Sequence, residues 1–393
     1  MSGELVRTLA AELHLPQDIV VRGGAALVAG DVAAGLGLSR ALVVTDAFFA
    51  DQGLAGQVAH LLTRAGVETS VFAEVQPDPT VANVESGLAA LREHGADGVV
   101  ALGGGSSLDT AKAVSVMATN DGSIQDFAGY HKIPDAGLPL VAIPTTAGTG
   151  SEVTRVTVIT DTDRDVKMMI LDNHLLPRAA IADFKLTLTC PPALTAHVGV
   201  DSLTHAIEAY VSSKANAMTD ILALEGARLL GANLRAAFDD GSDEPAREAM
   251  MLGATLAGAA FSNASVALVH GMSRPIGAHF HIPHGLSNAV LLPTVTRFSL
   301  QGAVPRYATL ARTMDLADPG GSDDDAAQAL VAELDALNDH LQIPRLRDLK
   351  VSEEHLGRVV DDMAEAALAS GSPDFNPRKA SADEIVALYK EIH

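Results

Sequence analysis

The sequence has a single cysteine in 393 residues, Cys190, so no intrachain disulfide can form. That fits a reducing compartment. Tryptophan is absent and aromatic residues make up only 4% of the chain, so a core has to be built from Val, Leu, Ile and Ala. No uninterrupted apolar run reaches the roughly 18 residues of a membrane-spanning helix. The opening MSGELVRTLAAELHLPQ alternates polar and apolar residues and lacks the apolar core of a secretion signal, which makes the cytoplasm the expected location. Basic residues are also scarce: 27 Lys and Arg stand against 49 Asp and Glu, for a formal net charge of −22. With no Lys/Arg-rich run to neutralise phosphates, neither a nucleic acid nor an anionic membrane surface is an expected partner. Small anionic ligands remain possible, because a local pocket can oppose the global charge.

What is present fits a globular chain of two or three domains, with 48% hydrophobic and 19% charged residues. In the first half, short apolar runs alternate with amphipathic stretches. Strands are predicted at 41–46, 69–75, 97–105 and 138–146, and helices at 53–65, 81–94 and 106–117. Strands alternating with helices of this length indicate βαβ units and a mostly parallel sheet. The segments 154–161 and 166–171 read as a hairpin around Thr162-Asp163-Arg164. After Cys190-Pro191-Pro192 the pattern changes, and helical periodicity dominates to the end. The expected division is therefore 1–190 and 191–393. Gly320 to Asp325 reads as a loop running into a helix start, where acids favour the dipole.

Two polar loops end predicted strands. Gly103-Gly104-Gly105-Ser106-Ser107-Leu108-Asp109 leads from a strand into a helix. Its glycines permit close backbone approach, and a helix N-terminus offers N–H groups to a phosphate. A tight turn capped by serine would use the same residues, but the strand–loop–helix context favours phosphate binding. Thr145-Thr146-Ala147-Gly148-Thr149-Gly150-Ser151 also follows a strand, and the two loops could flank one nucleotide. Asp46 ends the first predicted strand. There a carboxylate can accept from ribose hydroxyls and repel a 2′-phosphate, which favours NAD over NADP; a simple cap is the alternative.

In the second half, Asp201 and His205 lie four apart in DSLTHAIEAY and so share one helix face. His270 and His284 bracket HGMSRPIGAHFHIPHG, each followed by glycine. An Asp-x-x-x-His pair on a helix, such as Asp201 and His205, is more often a surface pair or a packing contact. Two turn-flanked histidines in apolar surroundings are harder to explain by packing. One carboxylate and three imidazoles suit a divalent transition metal such as Fe(II) or Zn(II). His279 and His281 lie close enough in sequence to be confused with ligands.

These segments carry a resemblance. GGGSSLDTAK (103–112), IPTTAGTGSEVT (143–154), DSLTHAIEAY (201–210), HGMSRPIG (270–277) and IPHG (282–285), in this order, resemble the iron-containing (group III) alcohol dehydrogenases over essentially the whole chain. The resemblance implies an α/β N-terminal dinucleotide-binding domain plus an all-α C-terminal domain, the fold shared with dehydroquinate synthase. It implies metal ligation by Asp201, His205, His270 and His284. It also implies dinucleotide contacts from Asp46, Gly103, Gly104, Gly105, Ser106, Asp109, Thr145, Thr146, Thr149 and Lys167. The implied cofactors are NAD and Fe(II), with Zn(II) as the alternative ion. The implied reaction is hydride transfer between a small-molecule primary alcohol, or its aldehyde, and NAD. A homodimer or larger homo-oligomer is the implied assembly.

One departure stands out. Many relatives have a second histidine four residues after the third ligand, and here that position is Arg274. An arginine stays protonated and cannot relay protons as histidine does. It could hold an anionic hydroxy or aldehyde substrate, or turn outward to an acidic neighbour. Two further readings stand beside the dehydrogenase. A metal-dependent cyclase of the dehydroquinate synthase type would need basic side chains around the ion, and few lie near these segments. A non-enzymatic NAD-binding or scaffold protein would have little reason to keep both an intact loop and an intact ligand set.

Overall fold

The computed structural model describes residues 11–164 and 166–393. They divide into two compact units, His14–Thr189 and a second running from Cys190 to His393; residues 11–13 group with the second unit rather than with the α/β unit expected from the sequence.

The first unit contains strands β1 (Asp18–Val21), β2 (Arg40–Asp46), β3 (Glu68–Val75), β4 (Gly98–Gly103), β5 (Gly129–Tyr130), β6 (Leu140–Pro144), β7 (Val156–Asp161), β8 (Val166–Leu171) and β9 (Ala179–Ala182). Its helices are α1 (Ala29–Gly35), α2 (Ala47–Asp51), α3 (Leu54–Arg64), α4 (Val81–His94) and α5 (Gly105–Met117). Six strands form one sheet in the order β1-β9-β6-β4-β2-β3, and every pairing within it is parallel. A parallel sheet covered on both faces requires strands that are apolar on both sides. Strands β4, β6 and β9 meet that requirement, being buried along their whole length. Alternate residues then feed opposite cores. Leu42, Val44, Val99, Ala101, Leu140 and Ala142 pack on one face. Ala41, Val43, Val100, Leu102, Val141 and Ile143 pack on the other. Edge strands β1 and β3 are more exposed.

The predicted hairpin is present as β7 and β8, with β5 added alongside β8 to make a second, three-stranded sheet. Asp161 folds its turn by accepting from the backbone N–H groups of Asp163 and Arg164, an Asx-type turn. Strands β1 and β9 and the short helix α2 were not anticipated from the sequence. Each is four or five residues long, too short for a hydrophobic period to declare itself.

The second unit is helical among its described residues: α6 (Pro192–Val211), α7 (Ala217–Asp239), α8 (Glu244–Ala264), α9 (Leu268–Phe280), α10 (His284–Ser299), α11 (Val304–Thr313), α12 (Asp323–His340), α13 (Glu353–Ala369) and α14 (Ala382–Glu391). Proline at the first turn starts α6, where its missing N–H costs nothing. Ser322 caps α12 just ahead of Asp323, Asp324 and Asp325, as the charge pattern predicts. No single described helix is long and apolar enough to cross a membrane.

Lys112 on α5 is fully buried. Its ammonium donates to Ser151 Oγ, Thr154 Oγ1 and the Val156 carbonyl, each at 2.9 Å. Burial lowers its pKa to about 8, against the opposing pull of Asp109 and Glu152. The three bonds tie α5 to the segment that follows the Thr145–Ser151 loop. Lys112→Ala leaves three acceptors unmatched and is expected to cost roughly 3 kcal/mol, read as a lower urea midpoint in equilibrium unfolding.

Candidate metal centre and nucleotide loop

In the α/β unit, three adjacent parallel strands end together. Strand β2 ends at Asp46, β4 at Gly103 and β6 at Pro144. From β2 the chain moves to β3 on one side, and from β4 it moves to β6 on the other. The topological switch point therefore lies between β2 and β4, and open α/β sheets bind ligands outside the carboxyl ends of such strands. Gly103 has φ +144, and a Cβ there would lie 2.5 Å from Ser107 Oγ, so only glycine fits. Gly105 backs onto Thr149, 3.0 Å from where its Cβ would be, and Gly104 faces Thr146. The two predicted loops thus lie against each other.

Helix α5 begins at Gly105 with Gly104 as its N-cap and no side chain capping it. The serine cap considered from sequence is not formed, and the first N–H groups of a 13-residue helix point outward from the glycine loop. Ser107 Oγ is buried without a hydrogen-bond partner. These features fit a phosphate.

The other expected contacts vary in how they are placed. Asp46 caps α2 by accepting from Phe49 N with one oxygen, 3.1 Å away. Its other oxygen, Oδ2, lies 3.8 Å from the Cβ position of Gly103. Ser106 sits in the first turn of α5, and Thr145 binds the Gly103 carbonyl through its N–H at 3.0 Å. Lys167 on β8 pairs with Asp78, in the loop after β3, at 2.7 Å. Asp109 is a strut: Ser151 Oγ and Val158 N donate to its two carboxylate oxygens at 2.7 and 2.9 Å. Its first visible task is to shape the loops rather than to face a ligand.

In the helical unit, α6 presents Asp201 and His205 on its buried face, with 2% and 4% exposure. Helices α8 and α9 meet at 100° through a corner at Ser265, whose φ is +70. This turn brings His270, 4% exposed, over α6. Helix α10 starts at His284, with Pro283 as its N-cap. A Cβ at Gly285 would stand 2.7 Å from the His197 carbonyl and 3.5 Å from Asp201 Cβ. Glycine therefore lets the start of α10 close on α6 beside the carboxylate.

One ligand atom from each of Asp201, His270 and His284 falls within 4.8 Å of the others. Asp201 Oδ1 lies 3.6 Å from His270 Nε2, 3.8 Å from His284 Nε2 and 3.9 Å from His205 Nε2. Ligands about 2.1 Å from a tetrahedral ion would stand about 3.4 Å apart, so Asp201, His270 and His284 are spaced to share one, with His205 Nε2 near Asp201 but outside that three-membered group. The His205 ring stacks on His270 at 4.6 Å and on Phe261 at 4.2 Å. His284 is the exposed member, with 45% side-chain exposure, and opens the cluster on one side. His279 and His281 are exposed and outside the cluster.

The electrostatics favour positive charge here. Burial works against the Asp201 carboxylate, yet His205, His284 and His270 hold its pKa well below the usual range. Burial likewise works against a charged His270, but Asp201 and Glu208 push its pKa up to about 9. Asn288, one turn after His284 and fully buried, aims Nδ2 at the same locus. It lies 2.6 Å from Asp201 Oδ1 and 3.1 Å from Nε2 of both His270 and His284. Nδ2 thus faces a carboxylate oxygen and two ring nitrogens at once, and Asn288 Oδ1 is itself buried without a partner. A divalent cation satisfies such a donor set directly.

Residues 16–184 match the family described as iron-containing alcohol dehydrogenase, and residues 195–393 match the C-terminal part of the same Fe-containing family. The chain belongs to the iron-containing alcohol dehydrogenases. It is 41% identical over 357 residues to "Alcohol dehydrogenase 4" of Saccharomyces cerevisiae (strain YJM789), covering 90% of this chain and 91% of that protein. The solved structure of a 1,3-propanediol oxidoreductase superposes with a TM-score of 0.94 at 39% identity, covering 98% of this chain and 100% of the other. A sulfoacetaldehyde reductase from Bifidobacterium kashiwanohense, solved with NAD+, gives 0.87 at 30% identity and 98% coverage of both chains. Membership in a dehydrogenase family displaces the cyclase reading.

Sequence reasoning missed Glu208 and Asn288. Both were within reach of helical spacing: Glu208 follows His205 by three residues on α6, and Asn288 follows His284 by four on α10. Gly285→Ala should push α10 off α6 and weaken zinc binding by roughly tenfold or more, while leaving NAD binding, measured by calorimetry, unchanged.

Proposed function

We propose that this chain is an NAD-linked, divalent-metal-dependent alcohol dehydrogenase and aldehyde reductase acting on a small primary alcohol or its aldehyde. The observation that carries the reading is the convergence of Asp201, His270 and His284, with His205 beside them, on one buried locus that favours a cation. Asp201, His205, His270 and His284 would hold the ion, Fe(II) in the first instance and Zn(II) as the alternative. When bound, the ion supplies Lewis acidity at the substrate oxygen, and the nicotinamide supplies or accepts the hydride at its C4.

The protein's own contribution is placement. The three imidazoles are neutral ligands, so the single carboxylate leaves a divalent site with net positive charge, which favours an oxygen developing negative charge. The exposed His284 leaves the cluster approachable from its side of the unit. In the α/β unit the uncapped start of α5 would receive the dinucleotide phosphates, and Asp46 would accept from the ribose hydroxyls, which favours NAD over NADP. A cytoplasmic homodimer or larger homo-oligomer belongs to this reading through family membership alone. Substituting His270 by Ala is expected to lower kcat by about 10³-fold or more while leaving the NAD dissociation constant within about twofold. Full turnover of a wild-type preparation stripped of metal would refute the reading.

A second substrate reading rests on Arg274. It is half-buried on α9, one turn beyond His270. The related structure named for sulfoacetaldehyde shows that this family includes a reductase named for an anionic aldehyde. A guanidinium beside the ligand segment would hold a carboxylate or sulfonate through paired N–H groups. Arg274→Ala is then expected to lower kcat/KM for anionic aldehydes by about tenfold or more relative to neutral ones. Unchanged discrimination between the two classes would dismiss the role.

A further inference from the structure

Glu208 lies on the same helix face as Asp201 and His205, seven residues after the first and three after the second. It is 3% exposed. Its Oε1 accepts from Val269 N at 2.6 Å, and its Oε2 accepts from Ala267 N at 2.8 Å. Those two bonds cap the first turn of α9. The third contact goes further: Oε2 lies 2.7 Å from His270 Nδ1. A helix cap has no need of that ring nitrogen.

We propose that Glu208 is a positioning residue for the metal centre, holding a proton on Nδ1 of His270 so that Nε2, on the Asp201 side, is the nitrogen an ion takes. The proposal rests on the metal reading above. A carboxylate only accepts hydrogen bonds, so the ring nitrogen facing Glu208 has to be the donor. The other nitrogen, Nε2, 3.6 Å from Asp201 Oδ1, is left to ligate. Because one side chain also holds Ala267 and Val269, the height of α9 over α6 and the tautomer of its ligand are set together. Ligating histidines backed by a carboxylate gain both orientation and basicity.

Glutamine separates this role from a simple cap. Its amide offers one oxygen and one NH2 in place of two accepting oxygens. With the oxygen in the place of Oε1, on Val269 N, the NH2 faces both Ala267 N–H and His270 Nδ1 and favours the opposite tautomer, which places a hydrogen on Nε2. With the oxygen in the place of Oε2, on the ring and Ala267 N, the Val269 N–H is left facing a donor.

The test uses full-length wild type and E208Q, freed of metal and titrated with Zn(II) against a chelator of known affinity. The folding of both is checked by circular dichroism. E208Q should fold and bind Zn(II) about 10- to 100-fold more weakly. In zinc-loaded wild type with 15N-labelled histidine, His270 should show a hydrogen-bonded Nδ1 proton in slow exchange, and E208Q should lose it. Equal zinc affinity in the two proteins overturns the proposal and leaves the metal reading intact. A wild type that takes up no ion removes both. If E208Q does not fold, the wild-type spectrum decides: a proton on Nε2 of His270 in the loaded protein overturns the role of Glu208.

Discussion

A carboxylate is held at 2% exposure in the helical unit, and it has to be neutralised there. Moving an ionised group out of water is expensive unless it is paired and hydrogen-bonded. Asp201 meets this with three imidazoles and the Asn288 amide, all from within the same unit. Protons alone would not explain the choice of groups. A lysine or arginine would neutralise an aspartate more simply, whereas neutral imidazoles with lone pairs aimed inward are what an ion requires. The surrounding architecture follows from that requirement. The 100° corner between α8 and α9 delivers His270, and Gly285 lets α10 deliver His284.

The α/β unit solves the opposite problem, since it has to present unsatisfied donors to an anion. Adjacent parallel strands place Asp46, Gly103 and the end of β6 together at the carboxyl end of the sheet. Glycine at 103 permits a backbone that no side chain could accompany, and α5 is left without a side-chain cap. The buried Lys112 and the strut Asp109 then fix α5 against the second loop and β7, so the open helix end rests on a rigid base.

The elements legible in the sequence were those long enough to show a period. Helix α4 matches its predicted span of 81–94 residue for residue, and β2, β3, β4 and β6 differ from expectation by no more than two residues at either end. The short strands β1 and β9 were invisible because four residues carry no period. The ligand segments could be read from chemistry, since Asp and His four apart on a helix can meet one ion. Their convergence could not, because it depends on the corner at Ser265 and on a close helix contact at Gly285, neither of which leaves a pattern. Asp109, a dinucleotide contact only through the resemblance, accepts with each oxygen from a group of the α/β unit, a bracing role that the motif does not declare.

Glu208 and Asn288 show why polar residues on a ligand-bearing helix should be counted even when they match no ligand spacing. Each is buried and each touches a ligand atom. The most direct test of the account follows NADH formation at 340 nm with a primary alcohol while metal-free chain is titrated with Fe(II) under anaerobic conditions. Activity is predicted to rise linearly and to reach its plateau at one ion per chain. Turnover that is already complete before any ion is added, or that never appears at saturation, would contradict it.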